Sequence, residues 1–520
     1  SCLCRWFDAL LVVELRPMRK PDPCVLVIFG ASGDLTSRKL IPALYEMRAI
    51  GALPEHFKVL GVSRREKTDD AWRAELAASV QQHAKRWDAG RWAEFAKCIH
   101  YFAGDAAQTA MYSGLEERLR KFDEESSTRG NRLFYLSVGP ELYESIVQRI
   151  EDAALVTEGK RRCSINSSER SWQRIIIEKP FGHDEQSAAS LNRTLGRVFE
   201  EEDIYRIDHY LGKEVVQAML VLRFANTIFE PVWNHRYIDH VQVTAVETVG
   251  VGNRTAFFDS TGAIRDMIQS HLLQIFAFVA MEPPTAITAE DIRAEKIKAV
   301  RAIRPTTPET VATHGVLGQY GKSADEGAYV DLPGVAKGST TETYAAIKLH
   351  VDNWRWAGTP FYFRTGKHMA KKCTEIVVQF KPPTANLFTG IPHQSGKVLG
   401  NRLVIEIAPF QQTRLRFESK VPGTPLSIAS VEMQADFDKQ FGVEALEAYG
   451  PLLIDAMRGD QSLYKHRIEV ESGWAAVMPF LNSSSATIRK SIASNYAPGS
   501  WGPAAADEMM SRDGRAWHNE

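Results

Sequence analysis

Three short runs of this sequence carry residue types that can do chemistry. Gly30-Ala31-Ser32-Gly33-Asp34-Leu35 follows the apolar run Val25 to Phe29 and opens a helix expected from about Thr36 to Ile50. Glycines at a strand-to-helix junction let backbone approach a pyrophosphate, and the helix N-terminus adds free N–H groups and partial positive charge. A dinucleotide fits there; a tight turn without a ligand is the plain alternative. Ser63-Arg64-Arg65 follows Gly61-Val62 at the end of the second expected strand. An acidic residue at that place would favour NAD, whereas an arginine accommodates the 2'-phosphate of NADP, so NADP is preferred over a merely solvated basic loop. The third run, Arg206-Ile207-Asp208-His209-Tyr210-Leu211-Gly212-Lys213-Glu214, is dense in ionisable groups. If it enters a helix, His209, Tyr210 and Lys213 share a face and could converge on a phosphoryl group; a charged helix start explains the run equally well.

The elements that must position these runs follow from hydrophobic spacing. Val25 to Phe29, Val59 to Val62, Leu133 to Val138 and Ile175 to Ile177 are continuous apolar runs of strand length. Between and after them, Ala71 to Arg86, Leu115 to Glu125 and Glu141 to Leu155 have helical spacing. Strands alternating with helices predict an α/β, doubly wound, Rossmann-like domain. After about residue 208, alternating runs take over: His240 to Val246, Tyr344 to Val351, Thr374 to Phe380 and Asn401 to Ile407. Alternation predicts strands with one solvated face, so a larger α+β domain with a mainly antiparallel sheet is expected. The expected division is 1–23 as an extension, 24–207 as the dinucleotide-binding domain and 208–520 as an α+β domain. Lys160 to Ser171 reads as a polar surface loop.

Composition narrows the function classes. Lys and Arg number 63 against 64 Asp and Glu, a net charge of -1 that offers no polyanion-binding surface, so nucleic acid is not an expected partner. No run reaches the 18 or so apolar residues of a membrane span. The apolar stretch Ala9 to Val13 is bracketed by Asp8 and Glu14, unlike a signal-peptide core. The six cysteines show no Cys-x-x-Cys pairing, which argues against a zinc site or disulfide scaffold and for a reducing, cytoplasmic location. Cys2 and Cys4 are candidate exposed thiols for redox control, or accidental residues of an extension. Gly390 to Lys397 has five residues between its glycines where a triphosphate loop requires four, so a nucleotide triphosphatase is rejected.

Taken together, the Arg206 to Glu214 run resembles the signature of the glucose-6-phosphate dehydrogenase family. Ile177-Glu178-Lys179-Pro180-Phe181-Gly182, Arg265 to Gln274 and Arg364-Thr365-Gly366-Lys367 resemble three further motifs of that family, in the right order. The resemblance runs from about Cys24 to Gly499-Ser500-Trp501-Gly502-Pro503. It implies an NADP-dependent oxidation of D-glucose 6-phosphate to 6-phospho-D-glucono-1,5-lactone, the first step of the oxidative pentose phosphate pathway, without a metal. It also implies a homodimer or homotetramer.

The family's residue roles carry over by position. His271 matches the general base that takes the C1 hydroxyl proton, and Asp208 the carboxylate that orients it, a pairing suited to a base near neutral pH. His209, Tyr210 and Lys213 match phosphate-binding residues. Glu247, Asp266 and Lys367 match contacts to the sugar and its phosphate, with Lys372 or Lys371 a further member. Lys179 matches a lysine between substrate and cofactor, and Pro180 a proline thought to couple the two sites. Gly30, Ser32, Gly33, Asp34 and Leu35 match the pyrophosphate turn, Arg64 the 2'-phosphate contact and Tyr143 a cofactor neighbour.

One departure stands out. Some members hold a second, structural NADP on the antiparallel sheet; there this sequence has Glu406 and Ala408 where an arginine and a glutamine align, and Cys373 in place of a lysine. The expected stoichiometry is therefore one NADP per subunit. A function of a different class is a non-catalytic NADP-sensing regulator on the same fold. The set Lys179, Asp208, His209 and His271 speaks against it, because a sensor has no use for a base and its carboxylate.

Overall fold

The computed structural model describes residues 20–156, 171–212, 214–324, 327–385, 387–423, 425–442, 447–490 and 492–520. Cys2, Cys4, Cys163, Lys213 and, except for Ser171, the loop expected over Lys160 to Ser171 lie outside them.

Six strands form a parallel sheet in the order β3-β2-β1-β4-β5-β6: β1 (Cys24–Phe29), β2 (Phe57–Ser63), β3 (Ile99–Ala103), β4 (Arg132–Leu136), β5 (Gln173–Ile177) and β6 (Ile204–Arg206). This is the doubly wound order, whose reversal between β1 and β4 opens a crevice at the strand ends. Every residue of β1 is buried, as a central parallel strand covered by helices on both faces demands. Gly30 ends it at φ 90°, and a Cβ there would lie 2.0 Å from the carbonyl oxygen of Ser137, so only glycine lets the first and fourth strand exits approach. The helix Asp69–His83 starts where the Thr68 side chain accepts the Ala71 N–H, and Asp69 and Asp70 complement its dipole. β6 is only three residues long and β3 is interrupted by His100, so neither reads as a continuous apolar run.

The second sheet has eight strands in the order β14-β13-β12-β11-β7-β10-β9-β8: β7 (Ile238–Val246), β8 (Gly315–Gly318), β9 (Tyr344–Leu349), β10 (Phe361–Gly366), β11 (Cys373–Phe380), β12 (Arg402–Ala408), β13 (Gln412–Lys420) and β14 (Ile428–Asp436). All pairs are antiparallel except β7 with β10. One face packs on the helical segment Leu273–Ala280, with Phe276 edge-on to Phe361 at 4.9 Å.

The expectation of a solvated opposite face is corrected for the central strands. Gln242, Thr244, Lys348, Arg364 and Glu375 are buried, because the C-terminal segment lies across them. Gln242 donates to the Ala516 carbonyl, Lys348 pairs with Asp513, and Arg364 is sandwiched by the Trp501 and Trp517 rings at 4.7 and 4.5 Å. The tail meets part of this polar surface in place of water, with Arg364 donating to the His518 carbonyl and His518 pairing with Glu375, whereas Thr244 Oγ1, Arg364 Nε and Glu375 Oε2 keep no hydrogen bond among the described residues.

Candidate active site

Three chain segments meet where the parallel sheet abuts the second domain. The first is the exit of β6, which carries Asp208, His209 and Tyr210. The second is the exit of β5, which carries Glu178 and Lys179, joined to Pro180 by a cis peptide. The third is the helical stretch Ile264–Leu272, wound with π-type bonding between Thr255–Ala263 and Leu273–Ala280. In an α-helix, residues five apart diverge by about 140°. The wider winding puts Asp266 and His271 on one face instead, and such segments recur at functional sites.

The consequence is a chain of charged contacts. His271 Nδ1 lies 2.5 Å from Asp208 Oδ1, and Lys179 Nζ lies 2.8 Å from His271 Nε2 and 2.8 Å from Asp266 Oδ1. With Asp208 accepting from Nδ1–H, the lone pair sits on Nε2, the nitrogen that meets Lys179. The Tyr210 ring stacks on the imidazole at 4.2 Å, His209 stands edge-on at 4.8 Å, and the Tyr210 N–H donates to Asp208. Both His271 and Asp208 are buried, with side chains 1% exposed, so their orientation is set by packing as well as by hydrogen bonds.

Burial sets the electrostatics. It pushes the His271 imidazolium well below its ordinary value, Asp208 works against this, and the Lys179 ammonium adds to it. Burial opposes ionisation of Asp208, yet the neighbouring His271, which donates from Nδ1, and the Lys465 ammonium outweigh it and hold the carboxyl well below the usual range. Asp266 is likewise raised by burial and lowered further by Lys179, ending below its ordinary value. Burial lifts Glu178 to about 7 despite hydrogen bonds from Tyr135 and Tyr449. Asp208, His209 and His271 bring three ligand-type atoms within 4.8 Å, but the ammonium groups of Lys179 and Lys465 flank the cluster and oppose a cation.

A cavity of about 1190 Å³ begins at this cluster and continues to the turn after β1. His209, Tyr210, Glu247, Asp266, His271 and Lys367 line one end, Gly33, Asp34 and Leu35 the other, and Lys179 and Pro180 stand between. Lys367 is ion-paired with Glu247. At the turn, Ser32 Oγ lies 2.7 Å from Ser63 Oγ, tying it to the end of β2. Arg64 follows there, exposed, with no hydrogen bond or ion pair among the described residues. This end fits a dinucleotide phosphate: the start of the helix lines the cavity and an exposed guanidinium stands at the second strand exit.

Two expected residues are placed differently. Tyr143 is buried beneath the cavity, where its hydroxyl donates to the Glu178 carbonyl, so it supports the β5 exit from behind. Lys372 is exposed just before β11 and is not among the residues lining the cavity, while Lys371 donates to the Glu520 carbonyl. The turn after Lys367 carries Lys371 to the C-terminal residue. Sequence reading also missed Lys465, which sits 3.1 Å from Asp208, and the Tyr135–Glu178 hydrogen bond of 2.5 Å. Neither carries a motif, and Lys465 stands in the polar run Asp460-Gln461-Ser462-Leu463-Tyr464-Lys465-His466-Arg467, where nothing singles it out.

Comparison with known proteins agrees with this geometry. The chain matches the family description "Glucose-6-phosphate dehydrogenase, NAD binding domain" over residues 27–218 and "Glucose-6-phosphate dehydrogenase, C-terminal domain" over 220–518. It is 41% identical over 503 residues to the glucose-6-phosphate 1-dehydrogenase of Aggregatibacter actinomycetemcomitans, covering 96% of this chain and 98% of that one. It is 40% identical over 503 residues to that of Chlamydia muridarum, covering 96% and 97%. Among solved structures, a glucose-6-phosphate dehydrogenase in complex with its substrate glucose-6-phosphate superposes with a TM-score of 0.85 at 30% identity, covering 96% of this chain and 99% of that one. The Mycobacterium avium glucose-6-phosphate 1-dehydrogenase gives 0.81 at 33%, with the same coverage. Sequence, fold and the pairing of histidine with aspartate at the domain junction converge, and this chain belongs to the glucose-6-phosphate dehydrogenase family.

Proposed function

We infer that this protein is an NADP-dependent dehydrogenase that oxidises D-glucose 6-phosphate at C1 to 6-phospho-D-glucono-1,5-lactone, the first step of the oxidative pentose phosphate pathway. The observation that carries the reading is the buried His271–Asp208 pair, whose Nε2 opens onto a cavity continuous with the phosphate turn. NADP, when bound, supplies hydride acceptance from C1 of the sugar.

The remaining work falls to the chain. His271 Nε2 takes the proton of the C1 hydroxyl, and Asp208 holds the ring in the tautomer that leaves Nε2 free and stabilises the imidazolium formed. Lys179 occupies that nitrogen here, so the substrate hydroxyl takes the ammonium's place while the lysine keeps its bond to Asp266 and turns to the cofactor side. His209, Tyr210 and Lys213 hold the 6-phosphate, while Glu247, Asp266 and Lys367 orient the sugar. At the other end Gly30, Ser32, Gly33, Asp34 and Leu35 cradle the pyrophosphate and Arg64 takes the 2'-phosphate. Orientation of this kind turns an encounter into an effectively intramolecular step.

Residues 24–207 serve as the cofactor unit and 208–520 as the substrate and assembly unit, following an extension over 1–23. Val431 and Met433 stand exposed on one face of the edge strand β14, and Phe410 beside β13, which favours burial against a second copy in a homodimer or homotetramer. Free thiols at Cys24, Cys98 and Cys373 suit a cytoplasmic, reducing setting. No helix among the described residues is long and apolar enough to cross a membrane.

Mixing folded protein with NADP and glucose 6-phosphate should raise the absorbance of reduced nicotinamide. Silence with both ligands bound would overturn the reading and favour a sensor.

A further inference from the structure

Asp208 uses one carboxylate oxygen twice. Oδ1 accepts from His271 Nδ1 and from the Tyr210 N–H. Oδ2 is buried and accepts no hydrogen bond among the described residues; its one close partner there is the ammonium of Lys465, 3.1 Å away as an ion pair. The same ammonium donates at 2.5 Å to the carbonyl of Ser270, the residue before His271. Lys465 is itself almost fully buried, and its backbone is fixed: its N–H donates to the Arg206 carbonyl in an isolated antiparallel bridge to the end of β6, two residues before Asp208. Behind it, Glu469 is paired with Lys296 at 3.2 Å, so Lys465 is left to Asp208.

We propose that Lys465 is a positioning residue for the general-base pair, one ammonium that locks the Asp208 carboxylate and the helix backbone at His271 into a single arrangement. The proposal rests on the reading of His271 as the base. Three ammonium protons can serve the carboxylate and the carbonyl together, which an apolar residue of similar length cannot. A bare buried carboxylate oxygen would otherwise carry the full cost of lost hydration.

An electrostatic consequence follows. The groups facing His271 are Asp208, His209 and Tyr210 from the β6 exit, Lys179 and Glu178 from the β5 exit, Asp266 on its own helix through Lys179, and Lys465 with Glu469 and Lys296 behind Asp208. Removing the Lys465 charge favours proton uptake by the His271–Asp208 pair, whichever partner holds the proton. The base would then be lost at higher pH.

The test compares native protein, Lys465→Met and Lys465→Arg for kcat, KM and the pH profile of kcat at saturating substrate, whose acid limb does not follow the ionisation of the free sugar phosphate. Lys465→Met should lower kcat on the order of 10- to 100-fold, as small misplacements of a base do, with KM for glucose 6-phosphate within about threefold. Its acid limb should move up by on the order of one pH unit. Lys465→Arg keeps the charge, so its acid limb should stay at the native position even where its bulk lowers kcat. A Lys465→Met protein with native kcat and native limb overturns the proposal, and so does a loss of rate with an unmoved limb, which would mean packing alone. If Lys465→Met does not fold, Lys465→Gln is judged by the same two criteria; if both fail, a shifted limb in Lys465→Arg is the overturning result and an unshifted one supports the charge. A native protein without turnover would sink the assigned reaction, not the positioning role.

Discussion

Lys179 Nζ stands 2.8 Å from His271 Nε2 and 2.8 Å from Asp266 Oδ1, so one ammonium joins the imidazole to a carboxylate five residues earlier on the same helical stretch. The nitrogen proposed as the base is thus capped by a donor, and a hydroxyl can reach it by replacing that donor. This relation, with Asp208 on the other ring nitrogen, defines what each substitution should do.

His271→Asn keeps size and polarity but removes the proton acceptor. Turnover should vanish while the KM for glucose 6-phosphate stays within about tenfold. Asp208→Asn should cost less, on the order of 10² to 10⁴ in kcat, since it loses orientation and charge but leaves the base. Steady-state kinetics checks both, and an Asp208→Asn enzyme of native rate would remove the pair from the mechanism.

In the proposed mechanism the neutral imidazole is the working form, and burial lowers the His271 pKa from its ordinary 6.5. The base should therefore remain competent as pH falls through 6.5 and be lost only further down. An NMR titration of the free enzyme, with the His271 resonance identified by its absence from His271→Asn, avoids interference from the sugar phosphate's own ionisation near pH 6. Protonation at or above 6.5 would contradict the expected direction.

Arg64→Ala should weaken NADP far more than NAD, because only NADP presents a 2'-phosphate for bidentate pairing. Arg64 makes no intramolecular bond among the described residues, so its loss should leave thermal stability almost unchanged. Titration with each cofactor reads the ratio; equal losses would reduce Arg64 to a support of its loop.

One NADP should bind per subunit. Glu406 is buried opposite Glu375 in the β11–β12 register, accepts from Gln412 at 2.5 Å, and faces no arginine in that pair. Burial pushes the neighbouring Cys373 thiol up to about 12, so it supplies no charge of either sign at neutral pH. Two buried carboxylates repel a pyrophosphate. Equilibrium titration of Arg64→Ala should find no residual tight site, and one such site per subunit would refute the stoichiometry.

The Lys296–Glu469 pair is fully buried at 3.2 Å. Glu469→Gln should destabilise by about 3–5 kcal/mol, because it strands a buried ammonium, whereas replacing both members by apolar residues should cost much less. Urea unfolding of the two variants reads the difference; equal costs would show that packing, not charge, dominates there.

The apolar runs at Val25, Val59, Leu133 and Ile175, with the turn at Gly30 to Leu35, determined the parallel sheet and the place of its cofactor end, since strand length and a strand-to-helix turn are local properties. The winding that aligns Asp266 with His271, the approach of Asp208 to His271 and the arrival of Lys465 were decided by tertiary structure alone. His271 lies 63 residues from Asp208 along the chain, and Lys465 comes from beyond the second sheet, so no spacing rule connects them. The same holds for the sheet face read as solvated: alternation in β7 and β11 is real, but burial of Gln242 and Glu375 depends on His518 and its neighbours crossing them. Periodicity reports which side of a strand a residue faces, whereas the medium on that side is set by whichever distant segment folds over it.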